Sequence, residues 1–108
     1  MATIGAGGFV VNIIEECNLD ARTFETTKEV SVAGDHCMYF ANDSGYINET
    51  VIASFTGEYW ADIVASILRI DGVRAIEVRR WAMTIYKNPE LLWDYIEQAT
   101  LRYLPITQ

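Results

Sequence analysis

Residues with a wide chemical range are few and scattered in this sequence. Asp35-His36-Cys37 sets an acid, a base and a nucleophile side by side. Their setting reads as a turn running into a strand, where neighbouring side chains point to opposite faces. His36 and Cys37 are therefore not expected to meet, and no catalytic residue is assigned. Gly5-Ala6-Gly7-Gly8 precedes an apolar run instead of following one, which is the wrong context for a phosphate loop. Residues 1–8 read as a flexible tail. With one histidine and no CxxC, a zinc site is not expected, and neither metal nor cofactor is assigned. Cys17 and Cys37 read as reduced thiols, at least one of them packed in the core.

Binding chemistry has better candidates. Arg79, Arg80 and Trp81 put two guanidiniums beside an indole, a set that can grip a carboxylate or stack on a ring. They fall between two strand-like runs, so a protruding tip is expected there. Trp60, Tyr86 and Trp93 are candidates to line an aromatic pocket between helices and sheet. Glu15-Glu16 with Asp20 and Glu25 reads as a solvated acidic loop.

The elements that position these residues are most legible after residue 56. Thr56 is placed to cap a helix, with Glu58 in its first turn near the positive end of the dipole. Tyr59, Ile63 and Ile67 recur at helical spacing, as do Trp60, Val64 and Leu68, giving a broad apolar face. Gly72 stands where a left-handed residue ends a helix. Arg74, Ile76 and Val78 then alternate with Val73, Ala75 and Glu77. Trp81, Met83 and Ile85 alternate with Ala82, Thr84 and Tyr86, so two strands are predicted. The link lacks Gly, Asn and Asp and does not signal a primed turn. Asn88-Pro89-Glu90 reads as cap, first position and first-turn acid of a second helix. Leu92, Ile96, Ala99 and Tyr103 form its expected inner stripe, and Pro105 its stop.

The first half is less regular. Residues 9–14 form an apolar run that suits a buried strand, and Asn18-Leu19-Asp20 a turn. Thr23 to Val32 reads as a strand, Ala33-Gly34-Asp35 as a turn, and His36 to Ala41 as a returning strand, which together predict a hairpin. Asn42-Asp43-Ser44-Gly45 is a strong loop signal. Tyr46 to Phe55 reads as a loop with a short helical turn.

At 108 residues, 51% hydrophobic, the chain suits one folded domain. Its formal charge of −7 falls wholly on residues 1–60, where nine acids meet two bases; six of each occupy residues 61–108. Such a surface repels nucleic acid and attracts a basic protein partner. No apolar run approaches the roughly 20 residues that cross a bilayer, so no membrane association is expected. The start lacks a basic region and a cleavage site, and a cytoplasmic address is the expectation.

Ile67-Leu68-Arg69-Ile70-Asp71-Gly72-Val73, then Ile76, then Met83-Thr84-Ile85-Tyr86-Lys87, then Trp93, form a run that resembles the N-terminal domain of Nfu/NifU-type scaffold proteins. In that family a helix ends on Gly-Val before a hairpin whose second strand finishes in lysine, and an aromatic opens the last helix. The resemblance lies mainly in residues 60–104. It implies a ββαββα-type fold and an accessory role beside iron–sulfur assembly. The family's cluster-binding CxxC belongs to a separate domain, so cluster binding by this chain is not implied.

The sequence thus predicts an α+β domain with an antiparallel sheet of four or five strands and two helices on one face. The function it points to is a small non-catalytic protein-binding adaptor. Two alternatives stay open: an acidic inhibitor or nucleic-acid mimic, and a small-ligand-binding protein or enzyme with an aromatic pocket. Exposed edge strands would also permit a homodimer.

Overall fold

A computed structural model of the chain describes residues 2–6, 9–26, 29–30, 37–42 and 47–104. The elements run β1 (Ala2–Ala6), β2 (Phe9–Glu15), β3 (Ala21–Thr26), β4 (Met38–Ala41), α1 (Glu49–Thr56), α2 (Glu58–Leu68), β5 (Val73–Arg79), β6 (Ala82–Lys87) and α3 (Trp93–Tyr103). The strands form one antiparallel sheet in the order β1-β2-β3-β6-β5-β4. The α+β architecture is the expected one. It is extended by β1, formed where a tail was expected, and by α1, where only a helical turn was read.

Period two divides the sheet into two unlike faces. Ile13, Phe24, Ile76, Val78, Met83 and Ile85 point to one side and join a single core with α1, α2 and α3. From the helices come Ile52 and Phe55, then Trp60, Val64, Ile67 and Leu68, then Ile96. The opposite face carries Thr23, Thr84, Tyr86, Glu77, Arg79 and Tyr39, and no described helix packs on it.

Local chemistry explains most boundaries. Asn48 caps α1 by accepting the Val51 N–H, and Gly57, at φ 82°, separates α1 from α2. Thr56 is therefore the last residue of α1, not the cap of α2: its hydroxyl donates back to the Ile52 carbonyl at 2.9 Å. Gly72 has φ 97°, the left-handed geometry its position required. The β5–β6 loop is only Arg80-Trp81, and among the described residues no non-glycine has positive φ, so the turn is not a primed one. Asn88-Pro89-Glu90 makes a turn ahead of α3, with Asn88 Oδ1 accepting the Glu90 N–H at 3.1 Å. The helix itself starts at Trp93 and buries Ile96 and Thr100, while Leu92 and Tyr103 stand exposed.

The expected hairpin of residues 23–32 with 36–41 does not form. β3 is flanked on both sides, by β2 and β6, and β4 pairs with β5 in the register Phe40↔Ile76. Backbone hydrogen bonds explain the detour. The N–H groups of Thr26 and Val30 donate to the carbonyls of Trp81 (2.8 Å) and Arg80 (2.7 Å), carrying the chain across the β5–β6 tip toward the far edge. The turn read at Ala33-Gly34-Asp35, most of the loop after Asn42, and the stop at Pro105 lie outside the described residues.

Candidate functional site

The three residues singled out for binding meet at one end of the helix-free face. Arg79 ends β5, and Arg80 and Trp81 form the tip. They line a groove of about 520 Å³ together with Ile14, Thr23 and Cys37, bordered by Glu16 and Glu25. Trp81 is 47% exposed. Arg80 is held by Glu29, Nε to Oε2 2.7 Å, and its guanidinium lies 5.7 Å from the Trp81 ring. That pairing stiffens the tip and leaves the indole presented.

The floor of the groove is a hydrogen-bonded chain across four segments. Arg79 Nη2 donates to Thr84 Oγ1 at 2.8 Å, the Thr84 and Thr23 hydroxyls lie 2.8 Å apart, and Thr23 donates to the Glu16 carboxylate. Arg79 Nε also sits 3.9 Å from Glu77. Four carboxylates (Glu16, Glu25, Glu29 and Glu77) therefore surround two guanidiniums. The local balance is acidic, as is the chain's. Beside this network Tyr86 stacks obliquely on Tyr39, ring centroids 6.0 Å apart. Burial, and next the Glu77 charge, push the Tyr86 phenol above its ordinary value of 10.0.

Trp60, Tyr86 and Trp93 do not share a pocket. Trp60 is 2% exposed in the core, edge-on to Tyr59 at 5.6 Å. Tyr86 lies on the helix-free face. Trp93 borders a different groove, of about 440 Å³, with Leu19, Leu92 and Pro89 at its rim. There its indole N–H donates to the Leu19 carbonyl at 2.8 Å. Arg22 stands 4.9 Å and Lys87 5.7 Å from its ring centroid. Arg22 bridges Glu97 (2.7 Å) and Glu15 (3.1 Å), and Lys87 reaches Asp20 at 3.0 Å. Neither cation was singled out as a binding residue. The signal was present in the alternation, which puts Arg22 on the face of Phe24, and Lys87 on that of Met83 and Ile85. Each is a cation at an inward position.

Of Asp35-His36-Cys37, only Cys37 is among the described residues; it and Cys17 are free and exposed, so neither is the core thiol expected. Both lie in irregular segments beside strand ends. Among the described residues no group of three or more His, Cys, Asp or Glu side chains is placed to hold a metal ion, and no helix is long and apolar enough to cross a membrane.

By sequence the chain matches no family model and no curated protein. Its fold has solved counterparts. Protein SAV1430 from Staphylococcus aureus superposes with a TM-score of 0.62 in its crystal structure, at 14% identity over 95% of this chain and 98% of that one. The solution structure of the same protein gives 0.57 over 90% of each chain. A NifU-like protein from Saccharomyces cerevisiae gives 0.63, at 18% identity over 86% of this chain and 72% of that one. At such identities the likeness is one of fold alone: this chain shares the architecture of a NifU-like protein.

Proposed function

We propose that this chain is a small, non-catalytic protein-binding accessory domain that holds a basic segment of its partner on the helix-free sheet face. The observation that carries the reading is the groove at the β5–β6 tip. There Arg79, Arg80 and Trp81 stand over a floor of satisfied hydroxyls inside a ring of carboxylates. An open groove of this kind offers an indole for burial and hydrogen-bonding edges for register, the usual anatomy of a protein contact. The acidic excess supplies attraction for Lys- or Arg-rich surfaces. The fold shared with a NifU-like protein makes iron–sulfur assembly proteins the first partners to test.

The test is site-specific photo-crosslinking in extract of the native cell, read by mass spectrometry. p-Benzoylphenylalanine replaces Trp81 or Tyr39 on the helix-free face, and Tyr103 on α3 as control. The expected result is one shared adduct from positions 81 and 39, absent at 103 and lost in a Glu25→Lys background, which reverses a charge on the groove's acidic border. Adducts from position 103 alone, or none from a folded protein, would refute the reading.

A further inference from the structure

The far edge of the sheet has a second surface, independent of the tip groove. Among the described residues, strand β4 pairs with β5 alone. The Asn42 N–H donates inward, to the Arg74 carbonyl at 2.9 Å. In an antiparallel ladder the bonded residues alternate, so Phe40 and Met38 also face β5 while the backbone groups of Tyr39 and Ala41 point outward. Above this edge, on the helix side, runs an apolar groove of about 200 Å³ between β4 and α1, lined by Phe40, Ile47, Val51, Ile52 and Leu68. Val51 at its rim is 43% exposed, and Tyr39 on the other face 58%.

We infer that the β4 edge accepts an extended segment of a protein partner as a seventh strand, with one large aliphatic side chain of that segment seated in the β4–α1 groove. The reading rests on the protein-binding function proposed above. Its backbone half follows from the outward donors and acceptors of Tyr39 and Ala41, which an added strand satisfies whatever its sequence. Its side-chain half follows from register. The residue of the added strand opposite Phe40 points to the helix side, into the groove. A second copy of this chain fits poorly. Pairing β4 with itself about Phe40 would put the other copy's Phe40 opposite the groove, and that ring is already buried, 6.3 Å from Phe55 of its own core. The occupant is therefore a segment whose central apolar residue is free. The formal charge of −7 favours basic residues at alternate positions, which point to the other face beside Tyr39 and Glu77.

Amide hydrogen exchange by NMR, on the whole chain with the synthetic peptide Lys-Val-Lys-Leu-Lys-Val-Lys, tests this. The expected result is that the amides of Tyr39 and Ala41 slow by about tenfold or more as peptide is added, while those of Phe40 and Asn42, already bonded, change little. Ala41→Pro removes an outward donor without touching the ladder to β5, and edge strands tolerate proline. Val51→Lys puts a like charge at the groove mouth. Each should abolish the protection, and Val51→Lys keeps the test intact if the proline variant fails to fold. Protection at Tyr39 and Ala41 that rises with protein concentration alone, with dimer in sedimentation, would overturn the inference in favour of a second copy. Shifts confined to Arg79–Trp81 would overturn it while leaving the protein-binding function standing. No change at either surface would overturn it, and crosslinking through position 81 would then decide separately whether the protein-binding function survives.

Discussion

Thr23 and Thr84 face one another across β3 and β6, hydroxyl oxygens 2.8 Å apart, both residues buried on a sheet face that no described helix covers. Each hydroxyl has one proton, and this fixes the direction of the chain they belong to. Thr23 donates to Glu16, so Thr84 donates to Thr23 and accepts from Arg79. The arrangement predicts unequal costs for the same substitution. Thr23→Val leaves the buried Thr84 proton without an acceptor and should destabilise by about 1–3 kcal/mol. Thr84→Val leaves Thr23 still donating to Glu16, and Arg79 half in water, so about 1 kcal/mol is expected. The double variant should cost less than the two singles combined. Urea denaturation of the three variants measures all of this, and equal single costs would contradict the assigned direction.

Lys87 sits with its side chain 7% exposed, its ammonium 3.0 Å from Asp20 and 3.5 Å from the Asn88 carbonyl. Removing the carboxylate strands a nearly buried charge. Asp20 is itself about a third exposed, so the loss falls below that of a fully buried pair. Asp20→Ala is expected to cost about 1–3 kcal/mol in denaturant unfolding. Adding Lys87→Met to that variant should recover part of the loss, because an apolar chain of similar length replaces the stranded ammonium. A double variant weaker than Asp20→Ala would show that the lysine is held by Trp93 and the Asn88 carbonyl instead.

Legibility in the sequence followed the range of the interactions. The two strands after Gly72, the tip between them and the left-handed geometry of Gly72 itself are specified by neighbours in the chain and stand where the local pattern put them, but α2 ends before that glycine, at Leu68 with Arg69 as its C-cap. In the first half the pairings are set by partners distant in the chain. Thr23 to Val32 looks like half of a hairpin, yet β3 is claimed by β6 through Phe24↔Met83, and β4 by β5. No local pattern announces such pairings. Two misplaced caps have a local origin instead. Thr56 and Asn88 are good capping residues by type, but Gly57 and the turn at Pro89 moved the helix starts past them. Of the candidate residues, the contiguous Arg79-Arg80-Trp81 set stays together because a two-residue loop cannot separate it. Trp60, Tyr86 and Trp93 come from three elements, and their types alone did not say which faces they take.

Gly72 combines two demands that no other residue meets at once. Its φ of 97° lies where L side chains are strained, and a Cβ there would run into Leu91 Cδ1 and come within 3.3 Å of Ile96 Cδ1. Its carbonyl also accepts the Asn88 N–H at 2.7 Å, tying the end of α2 to the start of the α3 approach. Gly72→Ala should therefore cost about 1–3 kcal/mol from backbone strain, with displacement of Leu91 added. A thermal midpoint within error of the parent chain would contradict this account. Ile96, which is fully buried, should report the same disturbance through its methyl NMR signal.

Tyr86 supplies the pH dependence. Burial raises its phenol above 10.0, and the charge of Glu77, then the neighbouring Tyr39, raise it further, while Arg79 opposes them. A raised acid binds its proton more tightly folded than unfolded. Its contribution to stability is therefore complete below the unfolded value of 10 and is lost as pH climbs from there through the folded value. Absorbance at 295 nm during an alkaline titration should show one tyrosine ionising in a separate late step. Tyr86→Phe should remove that late step and flatten the fall in denaturant stability above pH 10. Glu77→Gln should move the same step toward lower pH, because it deletes the largest like-charge contribution while leaving the burial in place. A late step unmoved in Glu77→Gln would exclude the Glu77 charge as a cause of the shift.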